Sequence, residues 1–143
     1  MCIRDRVYRA VVVTTILYGA ETWVLYQKQI RLLELYHERC LRSILGLKWQ
    51  VLKRASLPSI EAILLQVQLL WAGHVKRMKD VRMPKARLFS ELQEGKRDLG
   101  APRKRYKDQL KRQLAQVEIS HQSWQQEGLD RDSWRSSVRK ASW

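Results

Sequence analysis

The stretch LPSIEAILLQVQLLWAGHVKRM, residues 57–78, decides the fold class. Ile60, Ile63, Leu64, Val67, Leu70, Trp71, His74, Val75 and Met78 recur at three- and four-residue intervals, which predicts one face of a helix over 59–78. Pro58 suits an early helical position, where a missing N–H is no loss, and Glu61 suits the positive end of the helix dipole. Gly73 has no side chain, so another backbone can approach closely there. His74 reads as a satisfied interface histidine rather than a catalyst. Lys76, Arg77 and Lys79 leave the apolar face and begin a run of positive charge.

Outward from this helix the pattern stays helical. Residues 28–45 carry Ile30, Leu33, His37, Leu41 and Ile44 as one stripe, with Cys40 beside it. Glu38 and Arg42 stand four apart in the favourable order, and Gly46 is a C-terminal stop. Residues 7–26 mix signals. The run from Val11 to Ile16 is β-branched, yet Tyr8, Val12, Thr15, Ile16 and Gly19 recur at helical spacing, and a buried helix is expected. A short helix near 84–94 is followed by the loop GKRDLGAP, whose glycines lack the strand and spacing of a phosphate loop.

Residues 102–117 form a basic amphipathic helix. Tyr106, Leu110, Leu114 and Val117 are its apolar line, and Arg103, Lys107 and Lys111 make a cationic stripe beside it. In the tail, Ser120 and Asp130 are candidate caps for two short helices carrying Trp124 and then Trp134 with Val138, flanked by Arg131, Arg135, Arg139 and Lys140. The expected fold is mainly α: a small irregular helical bundle with a basic helical C-terminal extension.

The charge points to a polyanion. The chain has 28 Lys and Arg against 14 Asp and Glu, a net +14. Residues 76–112 alone hold 14 basic and 5 acidic side chains, so +9 of the excess sits there. Six tryptophans and 45% hydrophobic residues argue against a disordered chain. Two cysteines give no disulfide framework and suit a reducing compartment. The run VVVTTILYGA is too short to span a membrane, and no secretory leader is evident. No Ser–His–Asp or Cys–His order suggests catalysis, and no adjacent aspartates suggest a two-metal centre. His37 and Cys40 make at most half of a zinc site, which would need His74 and His121 from distant segments.

Five stretches in order carry a resemblance: VYRAVVVTTILYGAETWVLY, IRLLELYHERCLRSILGLKW, LPSIEAILLQVQLLWAGHVKRM, GKRDLGAPRKRYKDQLKRQL and DRDSWRSSV. Together they resemble the region after the polymerase core in non-LTR retrotransposon endonuclease–reverse transcriptases of the jockey and RTE type, from Val7 onward. The resemblance implies a thumb-like segment over 7–50, a linker-like segment over 51–95 and a basic helical tail over 96–143. Residues 1–6, MCIRDR, look like the translation of a mosaic-end sequencing adapter, so native sequence is expected to begin near Val7. Two departures stand out: the short connection expected between Gln50 and Val51 is missing, and Leu70 replaces the arginine that usually precedes the tryptophan of WAGH.

On this resemblance the fragment is non-catalytic and has no cofactor of its own. Magnesium, the palm and the endonuclease belong to an upstream remainder. The protein would act inside an animal cell, in nucleus or cytoplasm, on template RNA, target DNA or their hybrid. Lys76, Arg77, Lys79, Arg103, Lys104, Arg105, Lys107, Lys111 and Arg135 are the residues expected to contact phosphates. Two other readings stand beside it: a basic helical module that docks an acidic protein or anionic membrane, and a translated pseudogene fragment without a function.

Overall fold

The structure is a computed structural model that describes residues 3–46, 48, 50–90 and 105–141. Among the described residues every regular element is helical, as the periodicity requires. The order is α1 (Ile3–Val7), a π-helical segment (Tyr8–Val13), α2 (Thr14–Ile16), a 3₁₀ turn (Ala20–Thr22), α3 (Gln27–Leu45), α4 (Val51–Ala55), α5 (Ile60–Arg77), α6 (Met83–Phe89), α7 (Tyr106–Gln116), α8 (Trp124–Glu127) and α9 (Arg131–Ala141).

Helix α5 is the spine, about 27 Å long at the usual rise, and touches α3, α6, α7, α9 and the 3₁₀ turn. Its N-terminal half closes one core with Tyr8, Val13, Leu17, Ile30, Leu41, Val51 and Leu57. Its C-terminal half closes a second with Leu88, Leu110, Leu114, Trp124, Trp134 and Val138. The division falls inside α5, between Leu64 and Leu69. The basic C-terminal helices therefore fold back on α5 and share its core.

A helix packed on several sides has no single apolar stripe, and this corrects part of the sequence reading. Leu69, Ala72 and Gln68 are fully buried, whereas His74 is exposed and makes no buried interface. The cap is Ser59, whose Oγ accepts from the Ala62 N–H at 3.2 Å, so Pro58 lies before the helix. Gly73 admits both a ring and a neighbouring backbone: a Cβ on Gly128 would stand 3.8 Å from the Gly73 Cα. The Trp134 indole lies across it and donates from Nε1 to the Leu69 carbonyl at 2.9 Å, a group within the same helix.

Residues 3–16 are helical, but most of their side chains face outward, so the segment is not a buried helix. Tyr8 and Val13 point into the core, while Val7 and Val11 are exposed. The π-helical path coincides with Thr14 and Thr15, whose hydroxyls donate back to the Ala10 and Val11 carbonyls, competing with the normal ladder. Gly19, at φ +73°, ends the segment.

Helix α3 matches its expected bounds to within a residue and ends at Gly46 in the left-handed conformation, at φ +65°. Arg42 and Glu38 pair at 2.7 Å. The break between Gly46 and α5 contains α4, which the sequence pattern did not reveal. Ser56 closes α4 at φ +53°, with Leu57 N–H donating to the Leu52 carbonyl and Ser56 N–H to that of Lys53. Helix α6 begins at Met83 with Pro84 in its first turn and stops at Phe89. Ser90, in extended conformation, ends the helix short of the expected 94, and residues 91–94 and the GKRDLGAP loop lie outside the described residues. Helix α7 begins at Tyr106, later than expected, because the Asp108 carboxylate accepts from the Arg105 N–H at 3.2 Å and fixes the start there.

Candidate nucleic-acid interface

The two cores are joined by a buried glutamine cluster. Gln68 donates from Nε2 to the carbonyls of Ala20 (2.8 Å) and Trp23 (3.0 Å). Its Oε1 accepts from Gln109 Nε2 at 2.6 Å and from Gln113 Nε2. Gln109 Oε1 in turn accepts from the Leu25 N–H at 2.9 Å. Tyr106 donates to the Glu21 carbonyl at 3.1 Å and meets Trp71 edge-on. The stretch GAETWVL holds only one 3₁₀ turn, and these amides bond its Ala20 and Trp23 carbonyls and its Leu25 N–H, tying it to α5 and α7. Burial raises the Tyr106 phenol well above its ordinary range, which keeps it a hydrogen-bond donor.

A second long-range contact anchors the start of α5. Glu34 of α3 accepts from the Ile60 N–H at 2.8 Å and from the Glu61 N–H at 3.4 Å, placing a carboxylate at the positive end of the helix. Burial nonetheless raises the Glu34 carboxyl, with the two backbone N–H groups pulling the other way. In the first core, Tyr8 OH and His37 Nδ1 stand 2.9 Å apart. Burial lowers His37 below the ordinary imidazole range. That hydrogen bond engages one ring nitrogen and fixes the orientation of the imidazole. Among the described residues, no three His, Cys, Asp or Glu side chains come together as a metal group.

The expected phosphate-contacting residues fall into three groups. Lys76 and Arg77 are committed to the fold. Lys76 Nζ donates to Gln125 Oε1 at 3.0 Å and lies 5.0 Å from the Phe89 ring centre, while Arg77 donates to the Gly128 carbonyl at 2.6 Å. Both therefore fasten α8 and the turn after it to the end of α5. Lys79, Arg105, Lys111 and Arg135 are exposed. Lys107 is half-buried and reaches the Ser90 carbonyl at 3.0 Å. Arg103 and Lys104 lie outside the described residues.

Lys107 and Lys111 are brought together on one cleft of about 190 Å³, whose other walls are Leu88, Phe89, Leu110, His121, Trp124 and Gln125. Arg135 stands on α9, outside this lining. Sequence reasoning missed Phe89 and His121 here. The only signal was the placement of a phenylalanine and a histidine in polar surroundings, which periodicity does not interpret. No helix among the described residues is long and apolar enough to cross a membrane. The chain shows no match to a known protein family, to a curated protein or to a solved structure.

Proposed function

We propose that the chain is a non-catalytic part of a non-LTR retrotransposon reverse transcriptase and that it binds template RNA or target DNA through its basic helices. The observation that carries this reading is charge on a folded surface. Lys79, Arg105, Lys111, Arg112 and Arg135 stay exposed in a chain of net +14. Such cations attract phosphates with little regard for base sequence, and their binding weakens as salt rises. The family assignment rests on the five ordered motifs. It brings with it an intracellular site of action and an upstream polymerase core that would hold the magnesium.

The test is the affinity of the full chain for RNA, DNA and hybrid duplexes across a salt series. Lys79→Glu, Arg105→Glu and Lys111→Glu together reverse three exposed charges and should weaken binding to every sequence at least tenfold. They should also flatten the salt dependence by roughly the number of phosphates released. Unchanged affinity and slope would refute the reading. Tighter binding to anionic vesicles than to any nucleic acid would favour the membrane-docking alternative.

A further inference from the structure

The cleft between α6, α7 and the start of α8 has more chemical definition than a solvated basic face. Helix α7 lines it with Lys107, Leu110 and Lys111, one turn of a single face. Helix α6 adds Leu88 and Phe89, the turn leading into α8 adds His121, and α8 itself adds Trp124 and Gln125. The Phe89 and Trp124 rings lie nearly parallel, 9° apart, with centres at 6.4 Å. Trp124 is 2% exposed, and among the described residues its indole N–H has no partner.

Apolar walls and a rim of amines and an imidazole match a planar heterocycle carrying a phosphate. The volume, about 190 Å³, is below the roughly 300 Å³ at which drug-sized pockets begin, so it suits one ring and not an extended cofactor. We propose that this cleft receives one unpaired nucleotide of the bound strand, its base against the Phe89–Trp124 wall and its phosphate at Lys111 and His121. The proposal rests on the nucleic-acid reading above and assigns it a preference for unpaired over paired strand.

The test compares three probes by fluorescence anisotropy at fixed salt: a short single-stranded RNA, the same strand paired to its complement, and a strand of equal charge with abasic positions. The wild-type chain should bind the intact single strand about tenfold more tightly than the abasic one, the loss of one base contact. Phe89→Leu should erase that difference and leave the salt-dependent affinity for the duplex in place. Lys111→Glu and His121→Ala, both at exposed positions, should lower the single-strand affinity more than the duplex affinity and do not depend on Phe89→Leu folding. Equal wild-type affinity for intact and abasic strands, with salt-dependent binding retained, would overturn the cleft alone. Absence of binding to every probe would overturn the cleft and the functional reading together. Displacement of the strand by a nucleoside monophosphate at micromolar concentration would assign the cleft to a free nucleotide and overturn the strand as its source.

Discussion

Replacing Gly73 by alanine isolates the contact on which the second core depends. A Cβ there would stand 2.4 Å from Trp134 Nε1 and 2.5 Å from its Cδ1, closer than real carbons approach. The ring has little freedom to retreat, because Trp134 is 1% exposed and its N–H is held by the Leu69 carbonyl at 2.9 Å. Overpacking of this kind costs about 1–3 kcal/mol, and loss of the indole hydrogen bond adds about 1 kcal/mol. Against this, alanine gains about 1 kcal/mol over glycine in a helix interior. The net expectation is a destabilisation of about 1–3 kcal/mol. In urea unfolding it reads as a lower midpoint at unchanged slope.

A midpoint equal to or above wild type would refute the reasoning, because helix propensity alone would then describe the site. A second variant sharpens the test. Trp134→Ala should cost about 3–5 kcal/mol, but in that background Gly73→Ala should become favourable, since the atom it meets is gone. Simple additivity of the two changes would show that Gly73 and Trp134 do not share this contact.

Further outcomes follow from the same contacts. Gln68→Leu leaves the buried Gln113 amide without its Gln68 partner, while the Ala20 and Trp23 carbonyls and the Gln109 amide each keep a second one, so it should lower stability by about 1–3 kcal/mol; in a double-mutant cycle with Gln109→Leu the losses should be coupled, and full additivity would break the cluster into independent bonds. Glu118 closes α7 at φ +58°, with Ile119 N–H donating to the Leu114 carbonyl, so Glu118→Gly should raise the thermal midpoint by relieving about 1 kcal/mol of left-handed strain, and Ser56→Gly should do the same at the end of α4. The pH dependence has two opposed parts. Glu34 has a raised folded pKa, so its contribution is fully present below about 4.5 and is lost as pH rises through the folded value. His37 has a lowered folded pKa, so its contribution is present above about 6.5 and is lost as pH falls through the folded value. Glu34→Gln should flatten the first slope in a chemical-denaturation series and His37→Asn the second; a slope left unchanged by either variant would remove that residue as its source.

The sequence by itself determined the helical class, the extent of α3, the existence of α5 and α7, and the apolar line of α7. These follow from one-dimensional information: the spacing of apolar side chains, the Gly46 stop, the Asp130 start of α9 and the Glu38–Arg42 pair. Local rules govern them because the partners lie within a turn or two of each other. The charge excess was equally legible, since it needs only counting.

What only the tertiary structure decided is which of those residues meet across the chain. Gln68, Gln109 and Gln113 sit at positions where polarity predicts exposure, yet Gln68 and Gln109 bond the backbone of residues 20–25 in the interior and Gln113 bonds Gln68. Glu34 serves a helix that begins 26 residues later. Lys76 and Arg77 look like surface cations in sequence, but α8 and the turn after it pass close enough to bind both. Lys107 and Lys111 acquire an aromatic wall only because α6 and α8 converge on α7. The physical reason is common to all of these. A buried backbone carbonyl or N–H must find a partner, and which side chain supplies it depends on where the packed helices place the two groups, which residue spacing does not encode.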